Sequence, residues 1–197
     1  MATSMYSVWL EPPAGTPAAS RSEAFIRSQA AKHAGRAPTF DPHVTLAGGF
    51  VGTEAEARDR TARIAADLAS TAGPLECRAL DATAGEVYFQ CVYLRMVPTD
   101  QLNRAHELAA TAFGVLPGNG GGRPYMPHLS LVYGDLDASE RRTAAEEATR
   151  ELLGDRAPEA GFLAEDISLW RTDIQDRTCR TWSRVERFPL RSPCSQY

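Results

Sequence analysis

Lysine is nearly missing: of 21 basic residues only Lys32 is one, and the rest are arginines. That bias reads as the mark of a GC-rich coding sequence rather than of an array of phosphate forks. Excess positive charge is missing as well, since 25 acidic residues leave a formal net charge of −4. A protein that tracks a long phosphate backbone is ordinarily basic, so long nucleic acid is not an expected partner. A small anionic substrate held by a few local groups remains compatible with this charge. No apolar run approaches the roughly 20 residues that cross a bilayer, and MATSMYSVWLEPP has no basic stretch followed by an apolar one. No membrane partner and no export signal are expected, and the expected location is the cytoplasm.

Metal patterns are missing too. Cys77, Cys91, Cys179 and Cys194 show no CxxC or Cys/His spacing, and no HExxH-like pattern occurs. Neither a metal nor another cofactor is therefore expected. Reduced thiols are the expectation for a reducing compartment, with a disulfide from the late strands to Cys77 left open.

What is present is a folding composition: 43% hydrophobic and 23% charged residues over 197 positions, the make-up of a folded chain with one ordinary domain or two small lobes. MYSVWLE reads as a strand. Thr16 and Pro17 open a helix that closes on Gly35, with Phe25 and Ile26 on its buried side. His33, in its last turn, reads as a surface residue near the negative end of the helix dipole. A strand over 43–50 leads to a helix whose cap Thr53, with Glu56 three residues on, forms a capping box. LECRALDATAGEVYFQCVYLRMV reads as two strands joined near Thr83–Gly85. PTDQLNRAHELAATAF is a helix burying Leu102, Ala105, Ala109 and Phe113, with His106 a structural histidine beside that face. GVLPGNGGGRP, which contains Gly118–Gly122, is a loop. A strand over 128–133 leads to a helix capped by Asp137 and stopped by Gly154. FLAEDISLWRTD and CRTWSRVERFPL give two last strands, with IQDRT between them.

Two of these segments say nearly the same thing. TFDPHVTLAGGF and YMPHLSLVYGDL both contain Pro-His-apolar-hydroxyl-Leu, and the histidines are His43 and His128. Each strand runs through a short loop into a capped helix with Glu at its third position, Glu56 and Glu140. The repeated order points to two α+β lobes about a pseudo-two-fold axis, with largely antiparallel sheets. Residues two apart on a strand share a face. His43 and Thr45 therefore point one way, as do His128 and Ser130, while Val44, Leu46, Leu129 and Leu131 point to helices. If the lobes face each other, two imidazoles and two hydroxyls converge on one cleft. One imidazole would take a proton from water and the other would give one to a leaving alkoxide. The hydroxyls would donate to non-bridging phosphate oxygens. In-line opening of a phosphodiester fits this set best.

At these residues the chain resembles the two-histidine (2H) phosphoesterase superfamily, whose mark is a pair of H-x-[T/S]-x motifs. Within it, the chain is most similar to the plant-type cyclic nucleotide phosphodiesterases. YSVWLEP, PHVTL, YFQCVYL, PYMPHLSLVYG and the late RTD and TW fall in the same order over nearly the whole chain. The resemblance implies a bilobal α+β fold over residues 1–197 as a single domain. Two largely antiparallel sheets would be related by a pseudo-two-fold, with helices outside and the cleft between lobes; separately from the resemblance, a monomer is expected. The resemblance implies opening of ADP-ribose 1″,2″-cyclic phosphate to ADP-ribose 1″-phosphate, and of nucleoside 2′,3′-cyclic phosphates to 2′-phosphates. The expected partner is thus a small cyclic phosphate.

By motif position, the resemblance makes His43 and His128 catalytic and Thr45 and Ser130 substrate-binding. Spacing does not order the two proton roles; the order adopted here is His128 on water and His43 on the leaving oxygen. Tyr133 matches a substrate-contacting tyrosine, although five residues from His128 it faces the cleft only if the strand ends first. Trp9 and Phe89 match aromatics at the pocket mouth. The chain departs from the plant pattern around Gly15–Ser20, at GNGGGR and in its cysteines, so loop gating and redox control do not carry over. Three rival readings stand beside this one. They are an RNA-end enzyme of the same superfamily (a 2′–5′ RNA ligase, tRNA cyclic phosphodiesterase or 3′–5′ oligonucleotide phosphodiesterase), a non-catalytic nucleotide-binding module, and a metal-dependent phosphodiesterase.

Overall fold

The structure, a computed structural model, describes residues 2–116, 124–154 and 159–191. Cys194 and the Gly118–Gly122 loop lie outside the described residues; Cys77, Cys91 and Cys179 are buried free thiols.

The first half of the chain forms β1 (Ser4–Leu10), α1 (Pro17–Lys32), β2 (Val44–Gly52) and α2 (Glu54–Thr71). After the short β3 (Leu75–Cys77) and β4 (Ala79–Val87), the same order returns as β5 (Gln90–Met96), α3 (Asp100–Phe113), β6 (His128–Val132) and α4 (Ala138–Ala148). The repeat is thus a whole β-α-β-α unit, twice the length of the strand, loop and capped helix seen in the sequence. The helices begin where side chains supply acceptors to free N–H groups. Thr16 and Thr99 cap α1 and α3, and capping boxes at Thr53–Glu56 and Asp137–Glu140 open α2 and α4. Helix α4 runs on as a π-helical turn over Thr149–Leu153, up to Gly154.

The expected two sheets are present as two antiparallel blocks. In one, β2 pairs with β1, β1 with β8 (Asp166–Arg171), and β8 with β9 (Ser183–Pro189); in the other, β6 pairs with β5 and β5 with β4. The blocks meet edge to edge where Val44 pairs with Leu129, which makes a seven-stranded sheet ordered β4-β5-β6-β2-β1-β8-β9. β3 pairs separately with β7 (Phe162–Ala164). The helices cross over between the repeats: α1 packs on β6, and α3 packs on β2.

Val44, Leu46, Leu129 and Leu131 are all buried against these helices. Each contributes roughly 1.5–3 kcal/mol of transfer free energy. That burial sets the site, because a one-residue slip of either strand would turn its imidazole into the core.

Two local expectations are corrected. The β4–β5 hairpin turns at Tyr88–Phe89, with Val87 opposite Gln90, and not near Thr83–Gly85. Gly85 sits at a break in register instead, where a Cβ would lie 1.9 Å from the Gln90 carbonyl oxygen. A glycine inside a strand marks such close backbone approach as readily as a turn. His33 is buried rather than on the surface. Its helix docks on the second repeat, so the last turn of α1 lies against the start of α4, with Nδ1 3.8 Å from a Glu140 oxygen.

Candidate active site

His43 immediately precedes β2 and His128 opens β6, each directly after a proline. Proline has no N–H to offer a ladder and biases the residue before it toward extended backbone. In both motifs the carbonyl two residues upstream meets the imidazole. Nδ1 of His43 lies 2.6 Å from the Asp41 oxygen, and Nδ1 of His128 lies 2.9 Å from the Met126 oxygen. A carbonyl only accepts, so both Nδ1 atoms carry hydrogen and both neutral imidazoles present a bare Nε2. The two Nε2 atoms have matching neighbours. The Tyr133 hydroxyl is 3.4 Å from that of His43, and the Gln90 amide nitrogen is 3.4 Å from that of His128.

The Val44–Leu129 seam brings the motifs together. Extended one residue either way, that register sets His43 across from Ser130 and Thr45 across from His128. All four side chains line one cavity of about 540 Å³. Thr45 is fixed from behind, since the Tyr125 hydroxyl donates to its carbonyl at 2.8 Å. Tyr125 lies three residues before His128, so the approach to the second motif is tied to the first.

Burial dominates the electrostatics. It pushes the His43 pKa down to about 3, partly offset by the bond to Asp41 and reinforced by His128. His128 is also lowered by burial, against the pull of its bond to Met126. Both imidazoles are therefore neutral at pH 7. Burial likewise raises the Tyr133 hydroxyl, keeping it a neutral donor. Among the described residues no group of three or more His, Cys, Asp or Glu could hold a metal ion. The arrangement offers two bare imidazole nitrogens and neutral hydroxyl donors around one cavity, a set suited to moving protons beside a phosphate.

A family model for the 2′-5′ RNA ligase superfamily matches residues 14–176, a span that contains both motifs. The chain belongs to this superfamily. It is 30% identical over 148 residues to a cyclic phosphodiesterase of Arabidopsis thaliana, which covers 75% of this chain and 76% of the relative. Among solved structures, apo LigT of E. coli superposes with a TM-score of 0.58 at 16% identity, covering 98% of this chain and all of LigT. TT0787 of Thermus thermophilus does so with a TM-score of 0.59 at 14% identity, over 95% of this chain and 98% of that one.

In this superfamily member, the structure brings all seven sequence-predicted site residues to one cavity. Their positions differ from expectation in two respects. Trp9 is not at the mouth: it is buried under His43, ring centroids 3.4 Å apart and planes within 4°. Tyr133 reaches the cavity because β6 ends at Val132, one residue before it. Phe89, in the hairpin turn, packs edge-on to Tyr133 and alongside Trp182. Sequence reasoning missed Gln90, Trp182, Tyr125 and Thr172 as cavity residues. Gln90 and Tyr125 stood within YFQCVYL and PYMPHLSLVYG, but neither segment marked them as facing the histidines. TW and RTD stood in the resemblance, but nothing in their spacing turned Trp182 or Thr172 toward the histidines.

Proposed function

We propose that this phosphodiesterase hydrolyses small cyclic phosphates without a metal: nucleoside 2′,3′-cyclic phosphates to 2′-phosphates, and ADP-ribose 1″,2″-cyclic phosphate to ADP-ribose 1″-phosphate. The observation that carries the reading is the matched pair of histidines, each with Nδ1–H spent on a backbone carbonyl and a bare Nε2 in the shared cavity. The phosphate lies between them. Water, losing a proton to Nε2 of His128, attacks phosphorus; the bond from phosphorus to the 3′-oxygen of the nucleotide, or to the 2″-oxygen of the ADP-ribose substrate, breaks, and that oxygen takes a proton from His43. His43 acquires that proton as the anion binds, because the phosphate charge opposes the effect of burial. Thr45 and Ser130 donate to the non-bridging oxygens. The names of relatives support the substrate class: the Arabidopsis relative is a cyclic phosphodiesterase, and LigT has been crystallised with 3′-AMP and with NADP+.

The family description favours a second reading, processing of RNA ends by the same residues. Phosphorus NMR of the products decides between them. Conversion of cyclic mononucleotides to 2′-phosphates, undiminished by chelator and weakly dependent on salt, supports the small-substrate reading. Turnover confined to oligonucleotide ends, steeply weakened by salt, overturns it.

A further inference from the structure

His43, Thr45, His128 and Ser130 account for only part of the cavity lining, and the rest of its walls have a composition of their own. Its floor carries Ser7 of β1 and Thr172, which directly follows β8; they are 7% and 2% exposed. Their hydroxyl oxygens are 2.7 Å apart. One hydroxyl donates to the other, so one O–H and several lone pairs remain for a ligand. The floor beside them is opened by a bulge. Tyr6 pairs with Phe50 and Ser7 with Gly48, leaving Gly49 extra at φ +90°. A Cβ on Gly48 would come within 3.0 Å of the Ser7 hydroxyl. Bulges of this kind re-aim side chains beside sites.

The rim has the opposite character. Val87, Leu116 and Ile174 come from three separate segments, are 57%, 85% and 49% exposed, and all line this cavity. Exposed aliphatics that line one cavity mark a binding surface. Ser7 lies two residues along β1 from Trp9, which pairs with Thr45. The hydroxyl pair is therefore about 7 Å along the strand from the phosphate side of the site, the reach of one ribose.

We infer that this end of the cavity is a nucleobase subsite, an inference that rests on the proposed cyclic phosphate chemistry. The aliphatic rim covers the flat apolar faces of the heterocycle, and the Ser7–Thr172 pair bonds its polar edge. Hydroxyls both donate and accept, so the subsite selects for a base without demanding one particular base.

The test combines direct binding with two substrates. Adenosine, which has no phosphate, binds the wild-type protein, and the double variant Ser7→Ala/Thr172→Val weakens that binding about tenfold. KM for adenosine 2′,3′-cyclic phosphate rises by the same factor while kcat holds. Ribose 2′,3′-cyclic phosphate, which lacks a base, is turned over alike by wild type and variant. Gly48→Ala narrows the floor by setting a methyl against the Ser7 hydroxyl while leaving both hydroxyls in place, and its KM rises on the nucleotide alone. Unchanged adenosine binding in both variants, or equal losses on the two substrates, overturns the subsite. If the wild type hydrolyses neither cyclic phosphate, the proposed function falls, and adenosine binding still decides the subsite.

Discussion

Trp9 and His43 lie face to face, their ring centroids 3.4 Å apart and their planes within 4° of parallel. The stack continues behind Trp9 to Trp170 at 4.4 Å, and the Trp170 indole N–H is 3.4 Å from a carboxylate oxygen of buried Glu11. The imidazole is thus held on its face by Trp9 and on its edge by the Asp41 carbonyl, which leaves Nε2 one direction to point. Aromatic stacking contributes about 0.5–1.5 kcal/mol beyond burial. Here its further effect is on aim.

That stack gives the first prediction. Trp9→Ala removes a fully buried indole and should cost about 3–5 kcal/mol of stability, with kcat falling because His43 is free to tilt. Trp9→Phe keeps a ring under the imidazole and should retain more of kcat than of stability. Thermal melts and single-turnover rates on both variants check this; equal kcat in Trp9→Ala and wild type, on folded protein, would remove the aiming role.

The two proton roles are separable. His43→Ala and His128→Ala should each lower kcat by about 10²–10⁴ on a cyclic nucleotide. A nitrophenyl phosphodiester has a leaving group that needs no proton, so the variant lacking the acid should recover on it and the variant lacking the base should not. With His128 acting on water, His43→Ala is the variant that recovers. Recovery of His128→Ala alone would reverse the assignment.

The pKa of His43 makes a prediction about stability and pH. Unfolded, the imidazole takes a proton below about 6.5; folded, it stays neutral down to about 3. Between those values the unfolded chain binds more protons, so stability is unaffected above 6.5 and falls as pH drops toward 3. The loss attributable to this one group is on the order of a few kcal/mol. Comparing urea midpoints of wild type and His43→Gln from pH 7 to pH 4 isolates it, with the wild type expected to lose more. For the same reason kcat/KM, which reports the free enzyme, should peak on the acid side of 6.5 rather than symmetrically around neutrality. A plateau running from pH 5 to pH 9 would contradict both histidine shifts.

How much of this was legible in the residues follows from which signals are local. The caps at Thr16, Thr53 and Asp137, the facing of His43 with Thr45, and the burial of Val44 and Leu46 all depend on neighbours within a few positions, and the structure keeps them. The crossing of α1 onto β6 and α3 onto β2 does not, and it left the sequence reading with half of the repeat. Thr16 and Thr99, the two caps that precede His43 and His128 by similar distances, were the available signal for the other half. His33 went wrong by the same route: a helix end reads as exposed unless the element covering it, here the start of α4, is known. The Trp9–His43 stack was hidden because Trp9 pairs with Thr45 on the adjacent strand, a register that no periodicity within β1 reveals.

Tyr133 carries the last prediction. Its odd spacing from His128 would point it at the helices if β6 continued, but the strand stops at Val132. The stop has a cause in the next residue: a Cβ at Gly134 would lie 2.8 Å from the Arg36 carbonyl oxygen, and the Gly134 N–H leaves the ladder for the Tyr88 carbonyl at 3.1 Å. The ring then stacks on Phe40 at 3.8 Å, and its hydroxyl faces Nε2 of His43. The position is buried, yet it lines the cavity. Tyr133→Phe keeps the ring, so the stack with Phe40 survives, and the melt should move by no more than the ~1 kcal/mol of one lost hydrogen bond. Catalysis should lose more than that. Without the hydroxyl, His43 lacks a donor on its bare nitrogen, and a bound phosphate lacks a neutral donor beside that nitrogen. A fall in kcat well beyond the stability change supports contact with the reacting group. A variant with unchanged kcat per folded molecule and a melt lowered by the full ~1 kcal/mol would make Tyr133 a structural residue that borders the site. Gly134→Ala is the companion: it leaves the hydroxyl in place but forces the chain off the Arg36 carbonyl, so it should lower both kcat and stability.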